Sequence, residues 1–259
     1  MRTVDSELTG QTAVVTGSSS GIGRAIALAL AAGGADVIVH ARRSQQAAEK
    51  VAEQIRGLGR RAEVALCDLS DETTHGPLIE RAWAWQGGVA IWINNAGADV
   101  LTGEAARLPF EKKLDQLWRV DVTATIGLSR LIGAKMKAGG AGSIVNLGWD
   151  QAEQGMAGDS GELFAATKGA VMAFTRSLAK SLAPEVRVNC LAPGWIRTAW
   201  GERASSYWQE RARRESLLGR WGTPEDVARA ARFLVSPAAS FITGQVLPVN
   251  GGYRGGSGA

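Results

Sequence analysis

Short apolar runs alternate with longer amphipathic stretches along the whole chain. Ala13-Val14-Val15, Val37-Ile38-Val39, Ala62 to Leu66, Val89 to Ile93, Ser143 to Leu147, Val186 to Leu191 and Val246 to Val249 read as strands. Several are continuously apolar rather than alternating, the pattern of strands covered on both faces. Helical spacing fills the intervals at 24–30, 45–58, 71–86, 107–119, 121–138 and 164–183, with Gly76-Pro77 interrupting the third. Thr223-Pro224-Glu225-Asp226 opens a last helix, with Thr as N-cap and Pro in the first turn. Residues 148–163 read as a long loop, with Asp159 and Glu162 placed to cap the helix after it. Strands alternate with helices and no linker or repeat intervenes, which predicts a single α/β domain with a doubly wound parallel sheet. The domain covers 1–259, with a polar lead-in over 1–9, a core at about 8–253 and a flexible tail at 254–259.

The first strand runs into Thr16-Gly17-Ser18-Ser19-Ser20-Gly21-Ile22-Gly23, and Arg24 to Leu30 then takes helical spacing. Strand, glycine turn and helix form the context of a dinucleotide fingerprint, hence a Rossmann fold. The glycines allow a sharp turn close to a pyrophosphate, and the helix N-terminus turns unpaired N–H groups and a positive dipole end toward it. Arg42-Arg43-Ser44 follows the second strand. In such folds an acid at that point binds the 2′-hydroxyl of NAD, whereas arginine suits the 2′-phosphate of NADP. Asp36 precedes the strand, at the wrong end for that role, so the reading favours NADP over surface charges on a helix edge.

Composition narrows the choices further. Cys67 and Cys190 lie in separate apolar runs and read as buried free thiols of a reducing compartment. Two histidines, His40 and His75, exclude a His-rich metal site, and no metal is expected. The sequence shows no signal peptide or membrane span, which points to the cytoplasm. A net charge of +4 is read as a solvated surface, with no nucleic-acid partner inferred.

With these pieces in place, the chain resembles the short-chain dehydrogenase/reductase family over roughly residues 8–253. The resemblance rests on the glycine turn, Asp68-Leu69, Asn94-Asn95-Ala96-Gly97, Lys168-Gly169-Ala170, Arg187-Val188-Asn189 and Pro193-Gly194. It implies that Gly17, Ser19, Ser20, Gly21, Ile22 and Gly23 hold the cofactor phosphates and that Asp68, with Leu69, meets the adenine. Asn94, Asn95, Ala96 and Gly97 would line the cofactor, while Pro193, Gly194, Ile196 and Thr198 flank the nicotinamide. It further implies a homodimer or homotetramer paired through the helices at 107–138 and 164–183. The second of these carries Ala165, Ala166, Gly169, Ala170, Val171, Ala173 and Phe174, too many small and apolar positions for one buried stripe.

The family's usual chemistry uses a Tyr to protonate the carbonyl, a Ser to hold its oxygen, a Lys that lowers the Tyr pKa and binds the ribose, and an Asn. Here Phe164 stands at the Tyr position, Trp149 at the Ser position and Asp121 at the Asn position; Lys168 is retained. Phe has no hydroxyl to donate. Lys168 still suits ribose binding, and Asp121 is expected either to pair with it or to sit as a surface carboxylate or local cap. Asp150, one residue past the Ser position, is the best alternative acid, against the plainer reading of a solvated loop carboxylate. Trp149, Trp195, Trp200, Trp208 and Trp221 cluster in the segments on the substrate side, with Tyr207 near them. They suit a planar ligand or, equally, a packed lid or interface. Arg203, Arg211, Arg213, Arg214 and Arg220 read as a solvated helix face. Two functions follow. One is an NADP(H)-dependent oxidoreductase with a modified site, favouring C=N or activated C=C over simple ketones. The other is a non-catalytic dinucleotide-binding sensor or partner subunit.

Overall fold

The computed structural model describes residues 6–254. Seven parallel strands form one sheet in the order β3-β2-β1-β4-β5-β6-β7: β1 Thr12–Val15, β2 Asp36–Ala41, β3 Ala62–Leu66, β4 Ile91–Asn94, β5 Gly142–Leu147, β6 Val186–Pro193 and β7 Val246–Val249. The order reverses between β1 and β4, and ligands of open α/β sheets bind outside the strand carboxyl ends at such a switch point. Helices α1 (Gly21–Ala32), α2 (Gln45–Gly57) and α9 (Pro224–Val235) belong with one face of the sheet. Helices α3 (His75–Ala84), α5 (Ala124–Ala138) and α6 (Asp159–Leu182) belong with the other. Each strand points alternate side chains into the two layers, Val37 and Val39 into the first and Ile38 into the second. Both faces are therefore apolar, which is why the strands read as unbroken apolar runs.

Several boundaries differ from the sequence reading. Pro77 sits in the first turn of α3, where its missing N–H costs no intrahelical bond, so it does not interrupt the helix. Helix α6 begins at Asp159, which places Asp159 and Glu162 in its first turn beside the positive dipole end; neither caps it, because Gly158 is the N-cap. Helix α4 (Phe110–Leu117) continues through a π-helical turn, Trp118–Thr123, directly into α5. That turn carries Asp121. Two short helices, α7 (Ala199–Arg203) and α8 (Ser206–Glu215), occupy the segment between β6 and α9. Asp36 opens β2 and is tied to Arg61 at 2.7 Å, at the strand end away from the site. Of the expected tail, Arg254 is held by its N–H, which donates to Glu215 O at 3.0 Å, and 255–259 lie outside the described residues.

Candidate active site

The glycine turn is built from both sides. Gly17 and Gly21 adopt left-handed backbone, φ +64° and +55°. A Cβ on Gly23 would fall 2.4 Å from Asn95 Nδ2 and from Gly17 O, so only glycine lets α1 seat against the turn. Asn95 Nδ2 donates to the carbonyls of Thr16 at 2.9 Å and Gly17 at 3.2 Å. Thr16 Oγ1 accepts from the N–H groups of Asn95 and Ala96 at 2.9 and 3.0 Å, joining the ends of β1 and β4. Ser20 is the N-cap of α1 but makes no side-chain capping bond, and no acid occupies the first turn. The helix N-terminus is thus left to an external anion.

His40, which the sequence reading used only to argue against a metal site, holds this turn. Its Nδ1 accepts the Gly17 N–H at 3.0 Å, and its Nε2 lies 3.2 Å from Cys67 O. Accepting at Nδ1 leaves the proton on Nε2, which donates to that carbonyl. Burial pushes the imidazole down to about 4, against the opposing pull of the Cys67 carbonyl. Its own N–H donates to Ser18 Oγ at 3.1 Å, and Ser18 Oγ donates to Val15 O at 2.7 Å.

Just past β2, Arg42 and Arg43 are exposed, and neither makes a side-chain hydrogen bond or ion pair among the described residues. Asp68 accepts from Ser70 N–H at 3.0 Å and Ser70 Oγ at 2.7 Å. Burial opposes its charge, but those two bonds, then Arg42 and Arg43, hold the carboxyl below its usual range. Leu69 is a core residue at 4% exposure, its side chain taken up by packing. Ile22 and Ile196 also pack into the core. Thr198 begins α7 beside the turn: its methyl is 4.0 Å from where a Cβ on Gly21 would stand.

Asn94 departs from the resemblance. Its side chain is turned into the sheet, accepting from Trp92 Nε1 at 2.8 Å and donating to Asn146 Oδ1 at 2.8 Å and Ser129 Oγ at 2.7 Å. It joins β4, β5 and α5 as a buried polar link, with its amide spent internally.

Lys168 and Asp121 meet. Lys168 Nζ lies 2.8 Å from Asp121 Oδ2 and donates to Leu147 O at 3.3 Å. Asp121 is 2% exposed, and its Oδ1 accepts the Ala98 N–H at 2.8 Å. It is therefore neither a surface charge nor a helix cap. The π-helical turn brings it inward, a use of such turns common at functional sites. A Cβ on Gly97 would stand 3.0 Å from Asp121 Oδ2, so this glycine makes room for the pair. Phe164 and Trp149 meet edge to face, ring centroids 6.3 Å apart at 63°. The two rings form an apolar contact at the positions that the resemblance aligns with the family's Tyr and Ser.

Asp150 occupies separate ground. Its N–H donates to Pro193 O at 3.3 Å, and its carboxylate packs on Gly194, whose added Cβ would lie 2.9 Å from Oδ2. Oδ2 accepts from Asn250 Nδ2 at 3.0 Å, while Oδ1 is buried without a partner. Burial pushes this carboxyl up to about 6, outweighing the Asn250 bond and the pull of the Gln151 and Asp150 backbone N–H groups, and nearby Glu215 adds to the rise. It is not a solvated loop carboxylate, and it makes no bond to Lys168 among the described residues.

The tryptophans between β6 and α9 pack on one another. Trp195 lies 6.3 Å from Trp200, 5.4 Å from Trp208 and 6.0 Å from Trp221, centroid to centroid. Arg211 covers both Trp195 and Trp208 and pairs with buried Glu215 at 2.6 Å; Glu215 also accepts from Trp195 Nε1 at 2.8 Å. Arg220 pairs with Asp226 at 2.7 Å. Arg211 is a half-buried member of the segment, whereas Arg203, Arg213, Arg214 and Arg220 are exposed.

A glycine turn at the sheet's switch point, a lysine on the helix after β5 and an Asn-Asn-Ala-Gly turn after β4 define a dinucleotide-binding α/β protein. Residues 17–254 match the family model described as Enoyl-(Acyl carrier protein) reductase, and the chain belongs to the short-chain dehydrogenase/reductase family of oxidoreductases. It is 37% identical to 3-oxoacyl-[acyl-carrier-protein] reductase of Aquifex aeolicus, over 95% of this chain and 98% of the relative. It is 36% identical to cyclohexanol dehydrogenase of Rhodococcus sp., over 95% and 96%. Among solved structures, 7α-hydroxysteroid dehydrogenase complexed with NADH superposes with a TM-score of 0.88 at 31% identity, over 98% of both chains. A 3-oxoacyl (acyl-carrier-protein) reductase from Agrobacterium tumefaciens with NADP bound gives 0.86 at 35%, again over 98% of both.

Proposed function

We propose that the chain is an NADP(H)-dependent oxidoreductase acting on a small planar substrate, preferentially at a C=N or activated C=C bond, with Asp150 as the source of the proton. Bound NADPH supplies the hydride. The glycine turn and the uncapped α1 N-terminus suit its pyrophosphate, and the unpartnered Arg42 and Arg43 suit a 2′-phosphate through charge-assisted bonds. Lys168, oriented by Asp121 and Leu147 O, serves the ribose. Trp149 and Phe164 keep water from the reacting face and offer no hydroxyl to clamp a carbonyl oxygen. Asp150 holds the proton that the reduced group takes up and regains one from solvent. The observation that carries this reading is the Asp150 carboxyl itself, packed on the Pro193–Gly194 turn, pushed up to about 6 and left with one unpartnered oxygen.

The test is NADPH oxidation against a panel of small ketones, quinones, imines and conjugated alkenes. Asp150→Ala should lower turnover on the imines and alkenes by about 10²–10⁴-fold. Robust wild-type ketone reduction that survives both Asp150→Ala and Asp121→Ala would overturn it. Cofactor choice is tested separately. Replacing Arg42 and Arg43 with Ala should weaken NADPH binding and leave NADH binding nearly unchanged, whereas equal calorimetric losses for the two would remove the argument.

A further inference from the structure

Beyond β7 the chain turns back through Asn250-Gly251-Gly252, both glycines left-handed at φ +69° and +78°. Asn250 uses both ends of its amide. Nδ2 donates to Asp150 Oδ2 at 3.0 Å, and Oδ1 accepts the Gly252 N–H at 3.0 Å. The two partners fix the orientation of the amide, since an N–H must meet the oxygen and a carboxylate must meet the NH₂. The next residues pair with the end of α8: Leu217 N–H donates to Gly252 O at 2.9 Å and Leu218 N–H to Gly251 O at 3.1 Å. Asp150 and Asn250 are 100 positions apart, and nothing local to either brings them together.

We propose that Asn250 is a positioning residue that occupies one oxygen of the Asp150 carboxyl and leaves the other to carry and release the proton, which makes the segment after β7 a working part of the site. The inference rests on the reading of Asp150 given above. An amide donor stabilises the carboxylate and so restrains the upward push of burial. The charged group facing Asp150 is Glu215, from the end of α8, itself bonded to Arg211 and Trp195. Pro193 and Gly194 face it from β6 without charge. Asn250 therefore sets both where the carboxyl points and the pH at which it gives up its proton.

A ligand-free experiment reads this directly. Thermal unfolding of the full chain and of Asp150→Asn is followed from pH 4 to 8, and the difference between them titrates with Asp150. In Asn250→Ala the midpoint of that difference should move up by about one pH unit, the size of one lost bond to a charged group. Asn250→Asp keeps an acceptor for the Gly252 N–H and replaces the amide donor with a second carboxyl. It should move the midpoint at least as far, even if Asn250→Ala disturbs the fold of the segment. A midpoint unmoved in Asn250→Asp, or no titration in the wild-type difference, overturns the proposal. NADPH oxidation with the imine or conjugated alkene of the panel that is turned over fastest then gives a second readout: the alkaline limb of the rate profile should follow the same shift. If Asp150→Asn keeps full activity while the midpoint still moves, the reading of Asp150 as proton source fails and the positioning by Asn250 stands.

Discussion

Phe164 and Trp149 meet edge to face at the positions that the resemblance aligns with the family's Tyr and Ser, so on the proposed reading restoring either hydroxyl alone repairs half a clamp. Phe164→Tyr regains a donor but leaves the indole of Trp149 in edge contact with the new ring. The single change should give little ketone reduction. Phe164→Tyr with Trp149→Ser should give measurably more than the product of the single effects, and the excess measures coupling between neighbours. His40 carries a prediction of a different kind. Its imidazole is neutral in the folded chain down to about 4, whereas an unfolded histidine charges near 6.5. The unfolded chain therefore binds more protons across that window, and stability falls as pH drops through it, by up to about 3 kcal/mol. Asp150 works in the opposite sense: its carboxyl is raised when folded, so its contribution is full at low pH and is lost as pH rises through about 6. His40→Asn, which offers an acceptor and a donor without titrating, should flatten the acid loss measured by denaturant melts; an unchanged slope would show that the imidazole does not hold the turn.

Among the elements, α1 depends on glycine at one position for its seat against the turn. Gly23→Ala would drive a methyl into Asn95 Nδ2 and Gly17 O, both at 2.4 Å from the new Cβ. It should destabilise the fold by about 1–3 kcal/mol and weaken NADPH binding far more than the same change at Gly57, which faces open space. Fluorescence titration of the two variants checks this. The strands and the glycine turn were legible in the sequence because a two-sided parallel sheet demands apolar runs and a tight turn demands glycine. The Thr223 N-cap was legible for the same local reason; its side chain and that of Asp226 form a reciprocal capping box. Three features were not legible. The π-helical turn at Trp118–Thr123 carries no distinctive residue pattern. The start of α6 at Asp159 is fixed by packing, as at Gly161, whose added Cβ would meet Met156 O. The bond from Gly17 to His40 spans 23 positions and the bond from Asn250 to Asp150 spans 100, so both exist only once the sheet has formed.

At the scale of the molecule, α6 leaves a face open. Ala166 and Ala173 are exposed, and a Cβ at Gly169 would meet nothing within 4 Å. A homodimer or homotetramer paired through this helix is the expected state. Light scattering should show it at micromolar concentration, and Ala166→Glu with Ala173→Glu should reduce it to monomers; a stable wild-type monomer would contradict it. Between β6 and α9 the opposite holds, because that segment is already full of its own rings. Trp195, Trp200, Trp208 and Trp221 contact one another, and Glu215 ties two arms of the cluster together. A segment that waited for substrate before ordering would charge its lost conformational freedom against every binding event. Here that entropy is surrendered once, during folding, because the rings are ordered against one another without any ligand. The bracing is also shared: each of these rings touches at least two others, so Trp195→Ala would strip contacts from Trp200, Trp208 and Trp221 at once.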